Sequence, residues 1–415
     1  MNRTQQRFGI ILPIILISYF MILLDNSIVF TSTVKIAADL NLSAQALSWV
    51  TNAYALTFGG LLMLGGRAGD IFGRRKIFLI GLVIFSIGSL LVGLSTSAGM
   101  IISMRALQGI GSAILAPTTL ALLMDTYQDN MRTRAIVYYG ATGGLGASFG
   151  LVIGGLISSY TTWRLGFLLN VPIGIVMLLL TLKFVPISQR STGKLDWLGS
   201  LLSVIGIIAL VYGINGAKNP VLTIIIAIIV LAAFVWQEHR SNHPIMPLKL
   251  FADRERSSAY VARFFFLGAM ISYFFLTPQA MQNVYHFTPL MAALGFLPET
   301  VPQFIFATLV SRLNNRFTNN QILIAGQLIT LVGLLMAALV GVRAGYVTAI
   351  AGSASGVVNM VHQIGSSVGL SIITLMTAGI ASPVVSYNTA VMIMTGLMLI
   401  STLAAMNIAR KSSND

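Results

Sequence analysis

Long apolar runs alternate with short polar breaks along the whole chain. The runs last about 20 residues, the length an α-helix needs to cross roughly 30 Å of hydrocarbon at 1.5 Å per residue. The pattern predicts thirteen spans, at residues 9–31, 47–66, 77–97, 100–124, 135–159, 165–185, 196–215, 220–237, 258–280, 290–311, 321–342, 356–380 and 389–409. The first run follows a basic start, as a secretory signal does. It is too long for a signal and lacks a small-residue cleavage site, so it reads as a retained span. The longest polar stretch, "QEHRSNHPIMPLKLFADRERSS" (237–258), separates eight spans from five and has the character of a linker between two bundles.

Composition agrees with a polytopic helical membrane protein. Only 9% of residues are charged, where a soluble globular chain carries about a quarter. The net charge of +14 would suit nucleic acid, but its distribution points to a membrane instead, and no nucleic-acid partner is expected. With the N-terminus inside, 19 of the 25 Lys and Arg fall on the cytoplasmic side, the C-terminal Arg410 and Lys411 included. Four fall outside (Lys35, Arg164, Lys218, Arg343), and Arg105 and Arg263 lie within spans. The chain has no Cys, which excludes disulfides, metal–thiolate sites and thiol catalysis. It also carries no phosphate loop, no HExxH, no dinucleotide fingerprint and no convincing nucleophile triad. Neither enzyme activity nor a cofactor or metal is expected, and energy should come from an ion gradient.

The most sharply patterned stretch is "GRAGDIFGRRK" (66–76), between the second and third spans. Gly66, Asp70, Gly73, Arg74 and Arg75 form Gly-x3-Asp-x2-Gly-Arg-Arg, a spacing that membrane topology alone does not demand. The glycines allow a tight turn and close helix approach, Asp70 suits a helix N-terminus, and the arginines can bridge acids or lipid phosphates. This loop resembles the signature loop of the major facilitator superfamily. "LDNSIVF", "RALQGIGSAILAP" (105–117), "GASFGLVIGG" (146–155) and "WRLGFLLNVPIG" (163–174) resemble the first-, fourth-, fifth- and sixth-helix motifs of its fourteen-helix drug/proton antiporter branch. "FLPETVPQF" and "AGSASGVVNMVHQIG" also look like that branch, and "ATLVSRLNNR" (307–316) like a worn copy of the signature loop, which suits a parallel internal repeat.

The resemblance implies an all-α, two-bundle transporter: a six-helix N-terminal bundle (1–190), two inserted helices (191–240), a cytoplasmic loop (241–257) and a C-terminal bundle (258–415). Three departures stand out. The fifth-helix motif usually has Pro where this chain has Leu151, although the stripe Gly146, Gly150, Gly154, with Gly155 beside it, still permits close packing. Val34 stands where the first-helix motif often ends in Pro. Finally, only about eight residues separate Val342 from Ala351, too few for the family's twelfth helix. The C-terminal bundle is therefore expected to be incomplete. Either the last two spans are inverted, leaving Arg410 and Lys411 outside, or residues 343–355 fold back into protein.

Ionisable groups inside lipid are costly and mark functional positions. Asp25 and Arg105 each sit roughly 8–9 Å below the outer boundary, at matching depth on two spans that the family fold brings together. Arg105 is then placed to modulate proton affinity on a nearby carboxylate. Glu299, roughly 14 Å into the tenth span, is a further proton-coupling candidate. Arg263 should snorkel to the inner face. His362 titrates in a useful range, whereas His239 and His243 belong to the linker. The resemblance implies a monomeric, plasma-membrane, proton-coupled exporter of amphipathic or cationic drugs, whose partners are a small-molecule substrate, protons and the bilayer. A metabolite exporter of the same fold is one alternative, and a truncated, transport-inactive remnant is another.

Overall fold

The computed structural model describes residues 8–187, 196–241, 244–298, 316–340, 370, 372–374, 376–377, 380 and 382–412. Its helices are α1 (Ile11–Asp39), α2 (Ala44–Phe72), α3 (Arg74–Gly93), α4 (Ala98–Thr126), α5 (Asp129–Tyr160), α6 (Trp163–Leu168) and α7 (Asn170–Phe184). They continue as α8 (Trp197–Ile214), α9 (Pro220–Arg240), α10 (Arg254–Asn283), α11 (Pro289–Gly295), α12 (Asn319–Val340) and α13 (Pro383–Ser412). Among the described residues, nine helical stretches are long and apolar enough to cross a membrane. Shorter apolar stretches lie at Phe149–Tyr160 and Gln321–Met336.

Helices outrun the apolar segments that predict them. The first span, expected to end at 31, continues to Asp39. "TSTVKIAAD" contains no Gly or Pro, and two of its buried hydroxyls bond back into the helix, Thr31 to Ile28 O at 3.2 Å and Thr33 to Phe30 O at 3.2 Å. The sixth span is one helical run, Trp163–Phe184. Pro172 has no N–H to bond the Leu168 carbonyl, so one helical hydrogen bond is missing where α6 passes into α7, while Leu169 between them keeps helical dihedrals (φ −58°, ψ −33°).

Two buried clusters organise the core. One joins α1–α4 and α7 around Tyr19, Tyr54, Phe78 and Phe85. The other crosses between the chain's two parts, with Ile28, Phe30, Leu151 and Phe167 packed against Tyr273, Phe275, Ala293 and Phe296. The inserted pair α8–α9 docks on α2: Asn215 Nδ2 donates to Ser48 Oγ at 2.6 Å and Trp49 Nε1 to Asn215 O at 2.9 Å.

Helix direction in the C-terminal part settles one expectation. Ser401 bonds Ala262 O at 2.7 Å near the start of α10, and Tyr387 bonds Thr277 at 3.0 Å near its end. So α13 runs antiparallel to α10, and residues 407–412 lie at the end of the bundle where α10 begins. That is also the end carrying the 66–76 loop. The inverted arrangement, with Arg410 and Lys411 on the opposite side, is corrected by this pairing. Ala338 of α12 packs with Val284 and Tyr387 at the other end, so the chain between α12 and α13 leaves from and returns to one end. Leu370 and Ile373 within that stretch are buried in the shared core. Residues 343–355, Glu299, His243 and His362 lie outside the described residues.

Candidate functional site

Asp25 sits midway along α1, and Arg105 in the third turn of α4. The two side chains meet directly: Arg105 Nη1 donates to Asp25 Oδ2 at 2.5 Å, with the residues 1% and 0% exposed. Ser27 on α1 bonds back to Leu23 O at 3.0 Å. The partners of Asp25 are tertiary.

Five helices supply the surroundings. Gln108, one turn past Arg105, accepts from Arg105 Nη1 through Oε1 at 2.7 Å. Its Nε2 donates to Asp25 Oδ1 and to Ser89 Oγ of α3, each at 2.6 Å. Asn170 of α7 donates to Asp25 Oδ1 at 3.2 Å. Arg105 Nε also donates to Val50 O of α2 at 3.2 Å. The guanidinium carbon lies 4.2 Å from the centre of the Tyr54 ring and 5.8 Å from that of Phe167, close enough for cation–π attraction. Tyr54 in turn bonds Ser112 at 2.7 Å and accepts from Asn26 at 3.4 Å.

The carboxylate is thus held by three donors, while the guanidinium keeps Val50 O, Gln108 Oε1 and an aromatic face if the acid is neutralised. Such a site can exchange a proton at Asp25 without releasing Arg105. Removing one member of a buried pair strands the other, a loss of about 3–5 kcal/mol.

The signature loop is braced within α2, α3, α4 and α7. Gly73 joins α2 to α3 at φ 98°, a conformation only glycine adopts freely. Arg74 pairs with Asp70 at 3.0 Å and with Asp125 at the end of α4, and donates to Ala121 O at 3.1 Å. Arg75 donates to Leu182 O at 2.6 Å. Gly66 is not where α2 and α4 come closest, since a Cβ there would rest 3.4 Å from Pro117. Close approach falls instead on Gly65, which faces the Ala113 carbonyl that Pro117 leaves without its helical donor.

The fifth-helix stripe lies along α1. A Cβ on Gly146, Gly150 or Gly154 would come within 2.8 Å of Leu23 Cβ, 2.7 Å of Ser27 Cβ and 2.8 Å of Ile28 Cα. Gly155 faces a different partner, with a Cβ 2.7 Å from Ala293 Cβ of α11. Leu151 is buried and α5 is continuous through it. Arg263 is half-buried. Gln108 and Asn170 lie inside the quoted motifs 105–117 and 163–174 without being singled out there, and Ser89 and Tyr54 lie in no quoted motif. Gln108 is the most accessible of them, because i+3 spacing from Arg105 puts both on one helical face.

A family model described as Major Facilitator Superfamily matches residues 15–358. The chain belongs to the major facilitator superfamily. Among superfamily relatives, the multidrug resistance protein Stp of Mycobacterium tuberculosis is 31% identical over 412 residues, covering 90% of this chain and 76% of Stp. The MFS-type transporter EfpA of the same species is 33% identical over 311 residues. That match covers 73% of this chain and spans only 58% of EfpA. The solved peptide transporter POT in complex with sulfate shares the superfamily fold, with a TM-score of 0.68 at 16% identity over 98% of this chain and 96% of that one.

Proposed function

We propose that the chain is a proton-coupled exporter of amphipathic or cationic drugs and toxic compounds. The observation that carries this reading is the buried Asp25–Arg105 pair, an ionisable acid kept inside the membrane with a complete set of donors. The names of relatives such as Stp support drugs as cargo. In this reading Asp25 takes up and releases the proton, Arg105 sets its affinity, and Glu299 is a second proton-coupling candidate. Asp70, Arg74 and Arg75 hold one side's closed state.

The same reading takes 1–190 and 258–415 as rocking bundles, with 191–240 an inserted pair and 241–257 a cytoplasmic loop. The protein works as a monomer in the plasma membrane. Positive charge at the end carrying Arg67, Arg74, Arg75, Arg132 and Arg134 supports a cytoplasmic N-terminus. Gln282 Nε2 donates to Thr31 O at 3.3 Å, Leu290 N donates to Ser159 Oγ at 2.9 Å, and the Phe30 and Phe274 rings lie 5.9 Å apart. These contacts support a state sealed toward the outside.

Dye efflux from energised cells tests the coupling. Asp25→Asn and Arg105→Ala should each abolish uncoupler-sensitive efflux. Efflux that is unchanged in both variants and resistant to uncoupler contradicts it. Melting-temperature shifts against a panel of drugs and metabolites separate a drug carrier from a metabolite exporter.

A further inference from the structure

Asn170 lies two residues before Pro172, which leaves the Leu168 carbonyl without its helical donor, and it is fully buried. Its Nδ2 faces Asp25 Oδ1 and lies 3.4 Å from Ser89 Oγ, while its Oδ1 has no hydrogen-bond partner. Native structures keep few buried acceptors in that condition without a reason.

Every hydrogen bond that the described residues make to Asp25 is donated to it, by Arg105, Gln108 and Asn170. That set suits the ionised acid. A neutral acid gains an O–H and needs an acceptor. Gln108 Oε1 is held by Arg105 Nη1, and Val50 O by Arg105 Nε. Ser89 Oγ already receives Gln108 Nε2. Asn170 Oδ1 is the acceptor at the site that carries no hydrogen bond, and a half-turn of its carboxamide brings that oxygen to face Asp25. The charged and titratable groups facing Asp25 are Arg105 from α4 and Tyr54 from α2; α3 and α7 present the neutral Ser89 and Asn170.

We infer that Asn170 is the positioning residue that reads the charge on Asp25. Its carboxamide donates to the carboxylate, and once Asp25 has taken a proton from water, it turns to accept from the new O–H. Because Asn170 lies two residues before Pro172, this exchange acts where the sixth span lacks one helical hydrogen bond. The inference rests on the proton-coupled reading of Asp25.

Infrared difference spectra, low pH minus high pH, of the full-length protein in lipid test it. The expected spectrum contains an Asp25 carboxyl band together with an asparagine side-chain amide couplet. The couplet should shift on selective isotope labelling of asparagine, and both features should vanish in Asp25→Asn. In Asn170→Leu the couplet should disappear and the carboxyl band should move to higher frequency, with efflux reduced about tenfold for one lost hydrogen bond to an ionised partner. Asn170→Ser, whose hydroxyl both donates and accepts, should restore the band position and most of the efflux. Labelled wild-type protein carries the test if Asn170→Leu does not fold. A titrating Asp25 band without an amide couplet, or a band that Asn170→Leu leaves in place, overturns the role of Asn170 alone. An unchanged spectrum and unchanged proton-driven efflux in Asp25→Asn overturn the coupling reading and this inference together.

Discussion

Arg105 and Asp25 form a buried pair in which each has a different set of further partners. The acid is surrounded by donors, and the guanidinium by a carbonyl, an amide oxygen and a ring. Arg105→Ala should therefore lower stability by about 3–5 kcal/mol through the stranded carboxylate. The double variant Asp25→Asn/Arg105→Gln should recover much of that stability in a thermal melt while remaining inactive in efflux. A single variant as stable as the double one would show that the pair is not buried as described. Arg105→Lys should not rescue efflux, because an ammonium lacks the planar fork that reaches Val50 O and Asp25 together. That Asp25 and Arg105 are the ionisable groups of their spans is legible in the sequence, but the depth counted from residue 31 is not kept, because α1 runs on to Asp39 and Asp25 sits midway along it. The role of Asn170 is not legible, because the motif "WRLGFLLNVPIG" that contains it does not show what its side chain faces.

Packing of α5 on α1 is the element-scale feature with the sharpest consequence. A Cβ on Gly154 would meet the α1 backbone at Ile28 Cα, 2.8 Å away, so neither helix can yield by turning a side chain. Gly154→Val should cost about 1–3 kcal/mol by overpacking and should slow efflux, read by melting temperature and dye export. Unchanged stability in the Gly154→Val variant would refute the close approach. The signature loop should behave differently. Arg74 and Asp125 are 26% and 49% exposed, so Asp125→Ala should change stability by no more than about 1 kcal/mol. The Gly-x3-Gly spacing on α5 is readable from sequence because i, i+4 residues share a face. The loop pattern points to Gly66 for an approach that belongs to Gly65, since adjacent glycines differ in facing by about 100°, a distinction that only the position of α4 resolves. Helix ends escape the sequence pattern where polar but unbroken sequence continues the helix, as after residue 31 of α1.

At the scale of the whole molecule, the antiparallel pairing of α10 and α13 is beyond the sequence. Charge counting and span counting point in opposite directions there, and only long-range contacts such as Ser401 to Ala262 can arbitrate. The contact between the chain's two parts is likewise tertiary, made where α5 meets α11 and α1 meets α10. Because the chain has no Cys, paired cysteines can be introduced without background. Ser159→Cys with Leu290→Cys should cross-link under oxidation, block efflux, and release it on reduction. Efflux that continues at full rate through the cross-linked protein would mean that this contact does not open during transport.

The central claim is that a proton on Asp25 drives the cycle. It is tested most directly in proteoliposomes carrying an imposed pH gradient, with gradient-driven substrate transport and gradient-free substrate exchange measured side by side. Wild-type protein should perform both, whereas Asp25→Asn should keep exchange and lose the response to the gradient. Gradient-driven transport by Asp25→Asn at the wild-type rate would contradict the account.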